Sequence, residues 1–547
     1  MTITRVVEPP RVTKPYEPEA WQAILRLGDT TEKALVDGDM RLTMGGEPTF
    51  VSIDDMDGAE WTTAAVGPDK RGLADTLIRR LQKRFAPGGL LHYGQGKWYP
   101  SESLPRWAFS LYWRGDGQPL WRDPERIAAE RTDYKPDVAA ARNLISGIAR
   151  RLDINPAYAI EAYEDIWHYV GKEQGLSPNV DPLDSKLADP EERARLAKVF
   201  ARGINKPTGF VLPVQRWNTE AGRRWHSELW QLRAGRLHLI PGDSPLGFRL
   251  PLNALTWLPE ADRPFVPPPD PFENLPAMPE RDATRQPYLL HATKDPVWTA
   301  RLALVEQDKP VEGATVRTAL SVEPRDGRLC VFMPPTDSAA DYLDLLMAIE
   351  DVAAEIDAAI HIEGYSPPHD PRLNVIKVTP DPGVIEVNIH PASSWRQQVA
   401  ITEALYEEAR QTRLGTEKFL LDGRHTGTGG GNHIVVGAAR PDDSPFLRRP
   451  DVLKSLVGFW QNHPSLSYLF SGLFIGPTSQ APRIDEARHD SLYEMQIAFD
   501  EVPDRDGGYI PPWLVDRIFR NLLVDVSGNT HRTEICIDKL YSPDGPT

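Results

Sequence analysis

A glycine-rich segment at residues 422–437, DGRHTGTGGGNHIVVG, has a composition and spacing suited to binding chemistry. Five glycines fall within nine residues and lead to Asn432 and His433, which open an apolar β-branched run. Glycine loses more backbone entropy on ordering than any other residue, so such a segment is favoured where the backbone passes close to a bulky group. A flexible hairpin loop is the alternative. The segment predicts a phosphate- or nucleotide-binding loop made by Gly427, Gly429, Gly430, Gly431 and Asn432.

A second polar arrangement lies in VIEVNIHPASSW, residues 384–395. Side chains alternate along an extended strand, so Glu386, Asn388 and His390 are expected on one face. Val387 and Ile389 then point to the other face, toward a core. An ordinary surface strand gives the same alternation. The polar residues are of ligand types rather than lysine, threonine or serine, which favours a functional face.

Acidic and imidazole residues of the same kind recur on other predicted strands. Glu47 lies on a strand with Thr49, Glu363 ends IHIEG, His433 enters IVVG and Glu494 lies in LYEMQIAF. Several carboxylates with one or two imidazoles suit a divalent cation, Mg²⁺ or Mn²⁺ rather than a structural zinc. Because Mg²⁺ also takes substrate phosphates, these ligands beside a glycine-rich segment predict a bound nucleotide whose γ-phosphate is transferred.

Phosphoryl transfer also requires fixed cations that neutralise the phosphate oxygens. Arg483 and Arg488 occur in FIGPTSQAPRIDEARHD, and Arg532 occurs in GNTHRTEICIDKLYSP. All three lie near Pro, Gly or Asn rather than on a solvated helix face. They are therefore predicted phosphate contacts, and an ordinary surface ion pair is the alternative for each of them.

The elements that must position these residues alternate between strands and helices. Residues 41–54 predict a strand or a strand pair carrying Glu47, and residues 374–391 predict a hairpin around Asp381, Pro382 and Gly383. Further strands are predicted at 90–100, 328–335 and 359–365. Helical spacing occurs at 21–37, 69–85, 135–152, 189–203, 341–359 and 394–414. Strands joined by short turns, with helices between them, predict an α+β fold rather than a doubly wound parallel sheet.

Composition limits the classes of function. The 547 residues carry 62 Lys and Arg against 78 Asp and Glu, a net charge of −16. This balance argues against a nucleic-acid partner held through its phosphates. Two cysteines, Cys330 and Cys536, are too few for a disulfide scaffold or a cysteine zinc site and fit a reducing cytoplasm. No run approaches the ~20 apolar residues of a membrane span, so we expect a cytoplasmic protein.

Proline marks the expected domain boundaries. The chain has 52 prolines, and the densest stretch, PEADRPFVPPPDPFENLPAMP at 259–279, forms neither a helix nor a central strand. We predict an N-terminal tail at 1–40, the first part of the catalytic domain at 41–100, an inserted α/β region at 101–258, a Pro-rich linker at 259–281 and the main part of the domain at 282–547.

Five motifs together resemble a known family. MGGEPTFVSID, PDPGVIEVNIHP, GTGGGNHIVVG, PTSQAPRIDEAR and HRTEICIDKLYSP are similar to motifs of the bacterial amidoligase family, within the glutamine-synthetase-like carboxylate-amine ligase superfamily. The resemblance extends from about Arg41 to the last residue. It implies a curved, mostly antiparallel catalytic sheet whose concave face holds ATP and divalent metal ions. It also implies the joining of a small-molecule or peptide carboxylate to an amine through an acyl phosphate.

The resemblance assigns roles by position. Glu47 stands at the metal glutamate of the first strand, Glu386 at a second metal glutamate after an Asp-x-Gly turn, and His433 at the histidine after the glycine stretch. Val435 replaces a second histidine that the family often has. The remaining implied roles are metal binding by Glu363 and Glu494, catalysis by Arg483, Arg532 and His425, and substrate contacts by Asn388 and His390.

Two departures from the family pattern qualify the resemblance. The family is commonly fused behind a transglutaminase-like domain, which this sequence lacks before Glu47, so such a domain is an expected partner. The family pattern also continues beyond Thr547 with a strand carrying a glutamate and an arginine, which raises the hypothesis that the chain is a fragment. Three other functions stay open: a metal-dependent hydrolase, a cysteine peptidase or transglutaminase, and a non-enzymatic scaffold.

Overall fold

The computed structural model describes residues 16–99, 102, 105–177, 179, 189–219, 222–232, 235–263, 275–278, 280, 309–419, 425–431, 433–439, 443–463, 466, 491–502, 510–530, 533–538 and 540–541. The helices in these ranges are α1 (Pro18–Asp37), α2 (Pro68–Phe85), α3 (Val138–Arg151), α4 (Ile166–Gln174), α5 (Pro190–Arg202), α6 (Ala339–Glu355), α7 (Trp395–Gln411), α8 (Pro445–Arg448), α9 (Pro450–Asn462), α10 (Ser491–Glu501) and α11 (Pro512–Phe519).

The strands in the first part of the chain are β1 (Thr43–Glu47), β2 (Thr49–Ser52), β3 (Leu90–Gln95), β4 (Trp107–Arg114), β5 (Ile160–Glu164), β6 (Gly209–Pro213), β7 (Gln215–Thr219), β8 (Gly222–His226), β9 (Leu229–Trp230) and β10 (Leu237–Leu239). Those that follow are β11 (Glu312–Gly313), β12 (Ala319–Arg325), β13 (Arg328–Met333), β14 (Ile360–Gly364), β15 (Leu373–Asp381), β16 (Val384–Asn388), β17 (Leu414–Gly415), β18 (Glu417–Phe419), β19 (His425–Gly427) and β20 (His433–Gly437).

Six strands form one fully antiparallel sheet in the order β17-β2-β16-β15-β4-β3. Its centre is the predicted hairpin of β15 and β16. Gly383 closes the hairpin turn with φ of +77°, and a Cβ at this position would lie 3.1 Å from the carbonyl oxygen of Thr62. Positive φ and close backbone approach both require glycine here. Strands from before and after the predicted linker thus share this antiparallel sheet.

A second, mixed sheet has the order β10-β5-β6-β12-β13-β14. Its outer pairs, β10–β5 and β13–β14, are parallel, and its inner pairs are antiparallel. The edge strands of the two sheets lie side by side, because Tyr93 of β3 stacks on His361 of β14 with ring centroids 4.1 Å apart. Buried apolar residues from both sheets belong to one continuous core.

Helix α2 covers the apolar face of the antiparallel sheet. Leu77, Ile78 and Leu81 are fully buried at helical spacing. The helix begins with Pro68, and the Glu60 carboxylate accepts the backbone N–H of Lys70 at 2.7 Å. Proline at the first helical position and an acidic group at the N-terminus both favour a helix start. Its opposite end, toward the turn after Phe85, carries basic residues that complement the helix dipole.

Helices α9, α10 and α11 bury a separate apolar cluster that includes Val457, Met495, Val515 and Phe519. The strand pattern predicted for LYEMQIAF, residues 492–499, is wrong because this segment forms part of α10. Met495, Ala498 and Val502 are buried at intervals of three and four residues, the spacing of one helix face.

The α+β class predicted from the sequence is confirmed by the order of helices, antiparallel strands and mixed strands. Each of the six predicted helical segments contains a helix, and the predicted hairpin is present. The division into a tail, an inserted region, a linker and a main domain stays a prediction.

Candidate active site

The first component of the site is a pair of residues on two short strands. β1 and β20 are antiparallel, and their register sets Glu47 directly opposite His433. The Nδ1 of His433 lies 2.9 Å from Oε2 of Glu47, and both side chains are half-buried. A carboxylate and an imidazole held side by side at a strand end are ligand types that suit a divalent cation.

Glu386 is the second component, on the adjacent β16. Its register partner is Thr49 of β2, two residues beyond Glu47. The side chain of Glu386 is buried, and Nδ2 of Asn388 donates to its Oε1 at 2.9 Å. Burial raises the pKa of the Glu386 carboxyl, and the negative charge of Glu47 raises it further. The negative charges of the two carboxylates thus repel each other, and a bound cation would relieve this repulsion.

Lys97 is a cation of this region that the sequence patterns did not reveal. It follows β3 in an exposed stretch, and its backbone carbonyl accepts the N–H of Arg106 at 3.0 Å. Desolvation opposes its charged form, yet the pKa of its ammonium is raised, chiefly by the charge of Glu386 and also by Asp381 and Glu47. Lys97 therefore acts electrostatically on both predicted metal glutamates.

Two buried lysines support the turn that precedes Glu386. Nζ of Lys70, which is fully buried, donates to the carbonyl oxygens of Ala64 at 3.0 Å, Ala65 at 3.0 Å and Asp381 at 2.9 Å. Burial lowers the pKa of Lys70 to about 7. Lys418 of β18 is also buried and donates to the carbonyl oxygen of Gly383 at 3.4 Å.

Arg106 fixes the same turn from its other side. Its guanidinium forms an ion pair with the carboxylate of Asp381, and its Nε donates to Glu102 at 2.9 Å. The position of Glu386 along β16 is therefore set by cations that bind the backbone and the side chain of Asp381. These contacts join residues far apart in sequence, which is why no local motif reveals them.

The glycine-rich segment passes directly over β2. The hydroxyls of Thr428 and Thr49 are 2.5 Å apart, and a Cβ at Gly430 would lie only 2.8 Å from Cγ2 of Thr49. Gly429 has φ of +87°, a conformation that favours glycine. Gly427, by contrast, has nothing within 4 Å of its Cβ position. The backbone conformation thus favours glycine at 429, and the side chain of Thr49, the register partner of Glu386, favours glycine at 430.

A family model described as "Putative amidoligase enzyme (DUF2126)" matches residues 1–547, the whole chain. The chain belongs to this family. The resemblance noted in the five motifs is therefore confirmed, and the family description indicates an amide-forming ligase with a carboxylate and an amine as substrates. No curated protein and no solved structure matches the chain.

Two predicted residues of the amidoligase site lie away from the pair formed by Glu47 and His433. Glu363 is buried at the end of β14 in the mixed sheet, where Nη1 of Arg325 donates to its Oε1 at 3.0 Å. Burial raises the pKa of Glu363 despite this ion pair. Glu494 is exposed on α10, among the C-terminal helices rather than on a strand. The structure does not bring either carboxylate together with Glu386.

The prediction that His390 shares the face of Glu386 and Asn388 is wrong. β16 ends at Asn388, and the imidazole of His390 is buried between Phe85 and Trp113, with ring centroids 5.4 and 4.8 Å away. Burial lowers its pKa to about 4. The chain leaves the strand two residues earlier than the alternation required, so His390 belongs to the aromatic core.

Two of the remaining predicted residues lie on β19 or between β19 and β20, and three lie outside the described residues. His425 lies on β19 with Phe419 as its register partner on β18. Gly431 is partly buried between Gly430 and β20. Asn432, Arg483 and Arg532 lie outside the described residues.

Among the described residues, no three His, Cys, Asp or Glu side chains are grouped closely enough to hold a metal ion as they stand. The donor types nevertheless fit a divalent cation, since Glu47, His433 and the charge-coupled Glu386 supply oxygen and nitrogen ligands. None of the helices that the structure describes combines the length and apolar character needed to span a bilayer.

Proposed function

We propose that this amidoligase is an ATP- and Mg²⁺-dependent (or Mn²⁺-dependent) carboxylate-amine ligase. The observation that supports this function is the register contact between Glu47 and His433, next to Glu386, whose own register partner Thr49 packs against Gly430 of the glycine-rich segment. A carboxylate-rich cation site beside a close-packed glycine segment is suited to binding a nucleoside triphosphate.

The proposed reaction has two steps. A carboxylate oxygen of the acid attacks the γ-phosphorus of ATP, so that an acyl phosphate forms and ADP leaves. The amine then attacks the acyl carbon, and an amide forms as phosphate and a proton are released. A divalent cation bound at the site would neutralise phosphate oxygens during the first step.

The residues of the chain have separate roles in this proposal. Glu47, Glu386 and His433 would hold the cation. Lys97 offsets the negative charge of the two glutamates before a nucleotide binds, because its ammonium is coupled to both. Phosphate binding is assigned to Gly427, Gly429, Gly430, Gly431 and Asn432. By resemblance to the family, Arg483 and Arg532 would contact phosphate, and His425 would act near them.

The test uses the full chain with ATP, MgCl₂ or MnCl₂ and a panel of acids and amines. We expect ADP and phosphate release that requires both an acid and an amine, with an amide detected by mass spectrometry. If the acid carries ¹⁸O in its carboxylate, one ¹⁸O should appear in the released phosphate. Amide bond cleavage that needs the metal but not ATP would replace this function with a metal-dependent hydrolase.

A cysteine peptidase or transglutaminase is the other enzymatic alternative. Cys330 is buried, and burial raises the pKa of its thiol well above the ordinary value, which disfavours the thiolate nucleophile. Burial also raises the pKa of Cys536. A chain carrying Cys330→Ala and Cys536→Ser should keep its ATP-dependent activity, and loss of activity in a folded double variant would favour the cysteine enzyme.

A further inference from the structure

A cavity of about 200 Å³, which we name the helix cavity, lies between α4 and α5. Tyr169 of α4 and Leu176, just beyond the end of α4, line one side of it. Arg193 and Leu196 of α5 line the other side. The wall of the helix cavity therefore combines apolar side chains with a hydroxyl and a guanidinium.

The helix cavity is separate from the candidate active site. α4 begins two residues after β5, and Nη2 of Arg202, the last residue of α5, donates to Oε1 of Glu164 at the end of β5 at 2.8 Å. In the mixed sheet, β6, β12 and β13 lie between β5 and β14, and β14 is the strand beside the antiparallel sheet. β5 and β14 are thus four strand spacings apart, about 19 Å. A ligand in the helix cavity would be held apart from Glu386.

Two hydrogen-bond donors of this wall are buried and unused. Tyr169 is 2% exposed, and neither its Oη nor Nη1 of Arg193 has a hydrogen-bond partner among the residues that the structure describes. Burial raises the pKa of Tyr169 and the charge of Glu164 raises it further, against the opposing effects of nearby cations and of the Gly242 N–H. The hydroxyl therefore keeps its proton and can donate it. Because buried polar groups nearly always have partners, two unused donors on one cavity indicate a ligand that supplies acceptors.

Most charges around the helix cavity are already compensated. Lys172 and Glu192 form an ion pair at 2.7 Å, and Nε of Arg195 donates to Oδ2 of Asp243 at 2.8 Å. The carboxylate at the N-cap of α5 accepts a backbone N–H of the same helix. The available cation is the guanidinium of Arg193. One guanidinium in a wall that also carries two carboxylates matches a single negative charge, such as a carboxylate, better than the several charges of a polyphosphate.

The remaining wall of the helix cavity is apolar. Leu176, Leu196 and the ring of Tyr169 line it, and the His168 ring packs edge-on against Tyr169 with centroids 5.2 Å apart. Water would satisfy the two donors but would gain nothing from the apolar side chains. Since a dry cavity of about 150 Å³ holds benzene, the helix cavity has room for a body of about six or seven carbon atoms and a carboxylate.

We propose that the helix cavity binds a small organic monocarboxylate. Its carboxylate accepts hydrogen bonds from Arg193 and Tyr169, and its apolar body packs against Leu176 and Leu196. This binding site goes beyond the proposed ligase function and does not depend on it, because it lies in another part of the fold and requires neither ATP nor a metal ion.

Calorimetry with the full chain, in the absence of ATP and metal, compares benzoate, phenylacetate and isovalerate with their neutral amides and with inorganic phosphate. We expect at least one carboxylate to bind about tenfold or more tightly than its amide. Arg193→Met should raise the Kd for that carboxylate about tenfold or more, and Tyr169→Phe, which keeps the ring, about threefold or more. Exposed Lys198→Met, also on α5, is the matched control and should leave the Kd unchanged.

Thermal melts establish that each variant is folded, and Tyr169→Phe alone decides the outcome if Arg193→Met does not fold. Absence of binding by all three carboxylates at concentrations up to about 10 mM would overturn the proposal. Binding of phosphate or of the amide as tight as that of the carboxylate would also overturn it. A Kd for the carboxylate that is equal in wild type and in the folded variants would place the ligand at another site, such as the candidate active site, and would reject the helix cavity.

Discussion

Glu47 and His433 are 386 residues apart in the sequence and in contact in the fold. Their contact is set by strand register rather than by any local motif, because β1 pairs with β20 along its whole length. The same register brings the backbone of Gly46 against β20, where a Cβ would lie 3.1 Å from the carbonyl oxygen of His433. The Gly-Gly sequence before Glu47 thus permits the close pairing that joins the two predicted ligands.

Glu386→Gln should abolish ATP-dependent amide formation in a chain that remains folded. The substitution keeps the shape of the side chain and removes the charge that would hold the cation, with a loss of roughly 3 kcal/mol or more of transition-state stabilisation. Phosphate release at saturating ATP, together with circular dichroism, measures both effects. Exposed Glu312→Gln is the matched control. Retained turnover in purified Glu386→Gln would remove this residue from the mechanism.

The same variant should show a distinctive dependence of stability on pH. Burial and the charge of Glu47 raise the pKa of Glu386 above its ordinary 4.5. A raised pKa contributes stability that is present below the unfolded value and lost as pH rises through the folded value. Glu386→Gln should therefore gain in Tm relative to wild type between pH 4 and pH 8.

A cation bound at Glu386 should stabilise the folded protein, because it offsets the negative charge that destabilises it as pH rises. MnCl₂ or MgCl₂ at pH 8 should raise the Tm of the wild type by mass action and should raise that of Glu386→Gln less. Thermal melts with and without metal, with Glu312→Gln alongside, provide the comparison. Equal metal-induced shifts in the wild type and Glu386→Gln would place the cation elsewhere.

Gly430→Ala should weaken ATP binding, whereas Gly171→Ala on α4 should have little effect. The new methyl group at 430 would overlap Thr49, while the Cβ position at 171 has nothing within 4 Å. Thr49→Ala removes the obstructing group, so the double variant Gly430→Ala with Thr49→Ala should bind ATP more tightly than Gly430→Ala alone. Calorimetric Kd values for the four proteins form the cycle. A fully additive cycle would mean that Gly430 and Thr49 act independently.

Lys70→Met should destabilise the protein more at pH 9.5 than at pH 6. The substitution removes three hydrogen bonds to carbonyl oxygens, a loss of roughly 3 kcal/mol. A pKa lowered from 10.5 to about 7 contributes stability that is present above the unfolded value and lost as pH falls through the folded one. Urea unfolding at both pH values measures the difference, and exposed Lys206→Met is the matched control. A constant difference across this range would mean that Lys70 stays charged.

Much of the fold follows from local sequence patterns. The helix of residues 68–85 and the hairpin around Gly383 are both visible as periodicity and turn residues, because each pattern is local. The segment LYEMQIAF was harder to assign, since its short apolar run fits both the helical and the strand periodicity. Its burial at positions 495 and 498 is decided by packing among the C-terminal helices.

Site residues were predictable where a polar residue type was unusual for the strand or helix that carries it. Glu47, Glu386 and His433 stand out as ligand types on apolar strands, and the structure brings Glu47 and His433 into contact. The predicted position of His390 was wrong because sequence patterns do not fix the end of a strand to within two residues. Lys70 and Lys97 were missed because lysine is a common surface residue, and burial or charge coupling appears only after distant segments have packed.

The pairing of β1 with β20 also has a consequence during translation. Residues 43–47 are synthesised before their partner strand, and Glu47 precedes His433 by 386 residues. A nascent or prematurely terminated polypeptide therefore carries Glu47 without His433. Assembly of this pair therefore waits for the synthesis of residues 433–437, and chains that terminate before these residues cannot form it within themselves.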